Sequence, residues 1–262
     1  MKRITGHFVR LSPQRRMIYD MMHVSKQLPL IPGERRMHLA DLVAARHAAK
    51  PRPSWLAMFI KAIANVSTRY PELRRVVVRY PWPRLYQFDQ SIVSVIVERE
   101  HQGEPGLFVA RFESPERMPL GEIDAQLRRF KTEPVDKIKR FRNALTISRK
   151  PLFLRRMLWH LAMNWMPRLR GKLIGTTGIS LTAGMGGMAL ALVTPWTTSW
   201  FYDSPTDDGT LVFRGMFDHR VFDGMPMLRM SRDIEREMLG SILAEVRSMK
   251  PASPGDDVRA AA

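Results

Sequence analysis

Residues Phe217–Gly224 read FDHRVFDG. The stretch continues a β-branched and aromatic run, Leu211–Phe217 (LVFRGMF), that reads as a strand. A long helix is expected beyond it, over Ser231–Met249. A histidine where a strand gives way to a turn can project into a cleft, and the glycine is expected to permit a tight turn. His219 is therefore a candidate general base, with a structural histidine as its rival.

Working outward, Gly178–Thr182 (GISLT) and Met188–Val193 (MALALV) read as further strands, as do Ser91–Glu98 (SIVSVIVE) and GLFVARFE from Gly106. Residues 11–27 read as a helix, with Ser12 as N-cap and Pro13 at the first helical position. MHLADLVAARHAA, from Met37, reads as a strand end and a short helix. Ser54–Arg69 is an amphipathic helix stopped at Tyr70-Pro71, and Pro119–Phe130 is another. Pro151–Pro167 (PLFLRRMLWHLAMNWMP) reads as one hydrophobic helix, apolar nearly all round. The tail PASPGDDVRAAA is read as disordered. Strands mix with helices without regular βαβ alternation, so the expected class is α+β (mixed α/β), one domain around a central mixed sheet.

The chain has 262 residues and no cysteine, which excludes disulfides and thiolate chemistry on the protein. The seven histidines have no metal-ligand spacing, so no metal is expected. GMGG at Gly184–Gly187 lacks the spacing of a phosphate loop. No signal peptide or spanning helix is expected, which points to the cytoplasm, with peripheral contact at the inner membrane face as a variant. The net charge is +17, and Gln126–Lys172 holds fourteen Lys or Arg against two acids. Such a block attracts polyanions: anionic lipid, an acidic protein or nucleotide phosphates. No nucleic-acid motif accompanies it, and nucleic acid is not an expected partner.

DHRVFDG resembles the DHRVxDG signature of the catalytic domain of 2-oxoacid dehydrogenase acyltransferases, the E2 subunits; chloramphenicol acetyltransferase shares the shorter H-x-x-x-D-G core. RRMIYDMMHVSKQLP, LAMFIKAIANVSTRYPEL, GLFVARFESPERMPLGEI and TTGISLT are similar to family segments and stand in family order. The resemblance spans roughly residues 8–130 and 174–250. It implies a chloramphenicol acetyltransferase-like fold and a homotrimer with active sites between subunits. Acyl-coenzyme A enters as substrate. His219 takes the thiol proton, and Ser180 of a neighbouring subunit donates to the tetrahedral oxyanion, with Thr182 as rival donor. Asp223, followed by Gly224, pairs with Arg15 or Arg16 and holds the loop. The chemistry is consistent: a thiol titrating near about 8.5 is mostly protonated at neutral pH, and imidazole, near about 6.5, can accept its proton.

The chain departs from that pattern in several places. It holds no lipoyl or subunit-binding domain, so no covalent lipoyl group is expected on it, and an acyl donor would come on a separate lipoyl domain or an acyl carrier protein. The expected domain is 1–250, with a basic hydrophobic helical insertion at about 131–173 and the tail at 251–262. The family's Ser-Asn-Leu-Gly turn is SLTAGMGG, and Pro29-Leu30 and Arg74 replace family residues. The tail lacks an apolar end, so a free trimer is expected rather than a cage. Arg155, Arg156, Trp159 and Trp165 of the inserted helix are candidates for contact with a membrane surface or an acidic protein, and burial against the trimer is the other reading. The leading expectation is a coenzyme A-dependent acyltransferase; the alternative is a non-catalytic trimeric scaffold that binds through the basic helix.

Overall fold

The computed structural model describes residues 4, 6–181, 193–206 and 208–251. Helix α1 (Pro13–Ser25) starts as its sequence dictates: Ser12 Oγ accepts a bond from Arg15 N at 3.3 Å, one turn in, and Pro13 needs no partner there. Strand β1 (Leu30–His38), helix α2 (Ala40–Ala48) and the short strand β2 (Ala49–Lys50) come next. Helix α3 (Trp55–Arg69) is capped by Ser54 Oγ, 3.2 Å from Ala57 N, and is buried along most of its length. Beyond it lie a hairpin of β3 (Arg75–Val78) and β4 (Arg84–Gln87), the long pair β5 (Ile92–His101) and β6 (Glu104–Glu113), and helix α4 (Leu120–Thr132).

The basic segment folds as three helices, α5 (Lys139–Ser148), α6 (Leu152–Asn164) and α7 (Pro167–Leu173); α6 is the hydrophobic helix expected over Pro151–Pro167, while α5 and α7 were not anticipated. The chain closes with β7 (Thr177–Leu181), β8 (Thr198–Tyr202), β9 (Thr210–Asp218) and α8 (Gly224–Glu237), which runs on through a π turn into α9 (Leu243–Arg247). The closing helix thus begins at Gly224, seven residues before the expected Ser231. The strand expected over Met188–Val193 lies outside the described residues but for Val193, as does the tail beyond Pro251.

Among the described residues, six strands form one mixed sheet in the order β1-β9-β8-β7-β5-β6. The pairs β5–β7 and β7–β8 are parallel and the others antiparallel. This is the α+β class with a central mixed sheet. Strand β8 is not legible in the sequence because all five of its residues are buried: a strand covered on both faces shows no alternation. Most of β1 is hidden for the opposite reason. It is an edge strand, exposed along much of its length, with Pro32 and Gly33 inside it.

The core lies between the sheet and α3. Phe59 and Trp200 both stack on the Phe213 ring, with centroids 5.1 and 5.0 Å away. Glycines make room for the two large indoles. A Cβ on Gly215 would run into the Trp200 ring at 2.6 Å, and one on Gly178 into Trp196 at 2.5 Å. Trp196 and Trp200 are therefore packing residues, almost fully buried. At the other end, α5 packs on the edge strand β6, with Phe141 against Phe108 at 4.9 Å.

Helix α6 is turned against its composition. Arg155 and Trp159 face inward, 6% and 7% exposed, while Phe153 and Met157 face outward, 69% and 54% exposed. The expectation that Arg155 and Trp159 form a contact surface is therefore overturned. The cause lies on α1: Asp20 is buried there, and Arg155 Nη1 meets its Oδ2 at 2.6 Å. A buried carboxylate must be paired, and the nearby guanidinium satisfies it. Arg156 sits partly exposed over the Tyr19 ring, 5.2 Å from its centre. Trp165 is half-exposed and stacks on Tyr80.

Candidate active site

Strand β9 ends at Asp218, and its neighbours fix the path of the loop beyond it. Asp218 N donates to Thr197 O at 2.8 Å. His219 N then donates to Pro29 O at 3.3 Å, and Val221 N turns back to Asp218 O at 2.9 Å. The histidine is thus pinned by its backbone between the sheet end and the segment after α1. Its ring lies 5.8 Å from the Phe217 ring. The side chain is 45% exposed, and no hydrogen bond to Nε2 occurs among the described residues. That nitrogen is open to a ligand.

Asp223 does not pair with Arg15 or Arg16, contrary to expectation. Its carboxylate is 80% exposed and Oδ1 lies 3.4 Å from His219 Nδ1. The four-residue spacing therefore does bring the two together, across a turn rather than along a helix. A contact of that length fixes which ring nitrogen faces the acid, without strong coupling. Arg15 serves the α1 cap through its backbone, and Arg16 Nε donates to Leu11 O at 3.0 Å.

The loop is held instead by residues that sequence reasoning passed over. Asp218 is fully buried. Its two oxygens receive Arg220 Nε at 2.8 Å and Nη2 at 2.6 Å, and Oδ1 also takes Arg220 N at 3.1 Å. This planar, bidentate pair straddles His219 and stiffens the turn. Arg170 of α7, 1% exposed, donates to Pro195 O at 3.0 Å. Burial pushes its pKa down to about 10; the field of Asp218 opposes that, and Arg220 adds to it. The signal in the sequence was the acid and base on either side of the histidine. Arg170 carried none, because only folding brings α7 close enough for Asp218 and Arg220 to act on it.

Gly224 is the first residue of α8, and its backbone is not in the left-handed region. The tight turn expected of it is not what it provides. A Cβ there would meet nothing within 4 Å, so the glycine leaves open space at the helix start.

Ser180 is not beside His219 in the same chain. The sheet register sets Ser180 opposite Phe201, and Phe201 opposite Arg214, five residues before the histidine. At about 3.3 Å per strand residue, the two sit roughly 16 Å apart along the strands. Thr182, the rival donor, lies outside the described residues. Among the described residues no cluster of three metal-binding side chains occurs, and no helix is long and apolar enough to cross a membrane.

No model of a known protein family matches the sequence, and no curated protein does. Solved structures do match in fold. The probable dihydrolipoamide acetyltransferase from Listeria monocytogenes aligns over 89% of this chain and 94% of its own, at 15% identity and a TM-score of 0.63. The Azotobacter vinelandii dihydrolipoamide acetyltransferase aligns over 92% and 94%, at 15% identity and 0.64. In that enzyme the roles of a serine, a histidine and an asparagine four residues after the histidine have been examined in the catalytic mechanism. A truncated catalytic core of the 2-oxoacid dehydrogenase multienzyme complex from Thermoplasma acidophilum aligns over 90% and 99%, at 16% identity and 0.62. The chain has the fold of these acetyltransferase and 2-oxoacid dehydrogenase catalytic cores.

Proposed function

We propose, from the E2 catalytic-core fold as premise, that this chain is an acyltransferase in which His219 is the general base at a site shared between two subunits of a homotrimer. The carrying observation is the pinned, half-exposed imidazole at the exit of β9, with Nδ1 toward Asp223 and Nε2 unengaged. Nε2 takes the proton of a thiol, that of coenzyme A or of an acceptor, or of an acceptor hydroxyl. The anion attacks the acyl thioester carbonyl, and a tetrahedral oxyanion forms. When it collapses, the thioester sulfur leaves and takes the proton back from the imidazolium. No acyl-enzyme is needed, which suits a chain without cysteine. Asp223 keeps the tautomer that leaves Nε2 free to accept.

The oxyanion donor in this reading is Ser180 of the neighbouring subunit. Their separation in one chain supports a shared site: a complete constellation needs a second copy. A preorganised donor of this kind is worth about 3–4 kcal/mol. The acyl donor is acyl-coenzyme A or a thioester on an acidic carrier domain drawn by the basic segment. The test is release of coenzyme A from a series of acyl-coenzyme A esters, with and without thiol and alcohol acceptors. Turnover that is lost in His219→Ala supports the proposal. A wild-type rate that persists in His219→Ala overturns it.

A second reading rests on the outward face of α6. Phe153 and Met157 lie four residues apart on that face, Trp165 caps its C-terminal end, and Trp82 of the β3–β4 hairpin is 63% exposed. Exposed Arg84, Arg149 and Lys150 belong to the same hairpin and helix end. That composition fits a scaffold seated on an anionic membrane. Salt-sensitive binding to anionic vesicles, abolished by Phe153→Asp while turnover is absent throughout, would favour it.

A further inference from the structure

The basic segment encloses a cavity of about 570 Å³ between α1, the outer strand β6 and helices α5, α6 and α7. None of its lining comes from the His219 loop or from Ser180. The size falls within the range of small-molecule sites. One part of its wall is apolar: Met17 and Met21 from α1, Ile147 from α5 and Trp159 from α6. Another part is cationic: Arg111 from β6, Lys139 and Arg140 from α5, and Lys172 from α7.

The cations are held close together by the fold. Arg140 Nη1 donates to Lys172 O at 3.1 Å, and Arg111 Nη1 donates to the adjacent carbonyl of Gly171. Arg111 pairs with Glu113 through Nη2, yet its Nε is buried without a partner, and the side chain is 8% exposed. Among the described residues, Lys139, Arg140 and Lys172 make no ion pair with a carboxylate. Burial, and then the neighbouring Arg111, push the Arg140 guanidinium down to about 10, and the field of Glu113 only partly opposes them. The one acid among the described lining residues, Asp20, is already engaged by Arg155. Lys139 and Lys172 stand exposed at the cavity's rim and Arg140 is half-buried between solvent and the apolar wall, so an anion entering there meets three positive charges.

We infer that this cavity binds a single-chain anionic amphiphile, its acyl chain along Met17, Met21, Ile147 and Trp159 and its phosphate or carboxylate head at Lys139, Arg140 and Lys172. The head adds counter-charge beside Arg140 and Arg111, which Glu113 offsets only in part. The chain replaces water against apolar side chains, at about 25 cal/mol per Å² covered. This site is separate from the proposed acyl-transfer chemistry and does not depend on it.

The experiment is calorimetric titration of the full chain with dodecyl phosphate, dodecanoate, inorganic phosphate and the uncharged dodecyl maltoside. Saturable one-to-one binding of dodecyl phosphate or dodecanoate is expected, and the tighter of the two names the head group. Ala144→Trp, which fills the cavity from α5, should abolish binding. Arg140→Gln, at a half-buried position, should weaken it about tenfold, the loss expected for one charge-assisted bond. Melting temperatures show that each variant is folded. The proposal fails if neither anionic amphiphile saturates, if inorganic phosphate alone binds as tightly, if dodecyl maltoside binds equally well, or if both folded variants bind like the wild type.

Discussion

Arg155 of α6 and Asp20 of α1 form a buried ion pair, with Nη1 2.6 Å from Oδ2 and side chains 7% and 2% exposed. It links the basic segment to the first helix, and Arg155 Nη1 also reaches Arg16 O at 3.4 Å. Burial raises the Asp20 carboxyl above its ordinary value, and the attraction of Arg155 and Arg156 only partly offsets it.

Arg155→Ala should therefore destabilise the fold by about 3–5 kcal/mol, the cost of stranding a buried charge. Between its ordinary and its raised value, Asp20 holds a proton more tightly folded than unfolded, so stability falls as pH rises through that window. Removing Arg155 raises the value further. The loss should be largest at neutral pH and shrink toward pH 4. Denaturant unfolding of both proteins at neutral and acid pH measures it.

Trp159→Ala should cost about 3–5 kcal/mol, since it empties a core position. Phe153→Asp, six residues earlier on the same helix but 69% exposed, should cost less than about 0.5 kcal/mol. Comparing their melting temperatures tests the inside-out orientation of α6.

Asp218→Asn should lower turnover more than Asp223→Asn does. Asp218 is buried in a bidentate pair with Arg220, while Asp223 is exposed and touches His219 at 3.4 Å. Roughly tenfold or more is expected for the first and only a few-fold for the second. The reverse order would restore Asp223 as the residue that holds the loop.

Mixing His219→Ala with Ser180→Ala protein after joint unfolding and refolding should recover activity that neither has alone. In a randomly assembled trimer roughly a quarter of the sites would pair an intact histidine with an intact serine from the next subunit. No recovery, with trimers verified by mass, would place the oxyanion donor elsewhere.

Local sequence determined a good deal of this protein. Ser12-Pro13 and Ser54 start helices because a hydroxyl beside free backbone N–H groups does so in any context. The Ile- and Val-rich run of β5 and the strand ahead of DHRVFDG were legible, since the strand preference of β-branched side chains acts locally. So was the position of His219 at the exit of that strand, because it depends only on the residues beside it. Tertiary structure alone decided which charges meet. Asp218 with Arg220, Asp20 with Arg155, and the cations of α5, α7 and β6 around one cavity depend on the packing of distant elements. It also turned α6, with arginine inward and phenylalanine outward, because a buried carboxylate 135 residues away requires a partner more strongly than an aromatic ring requires burial.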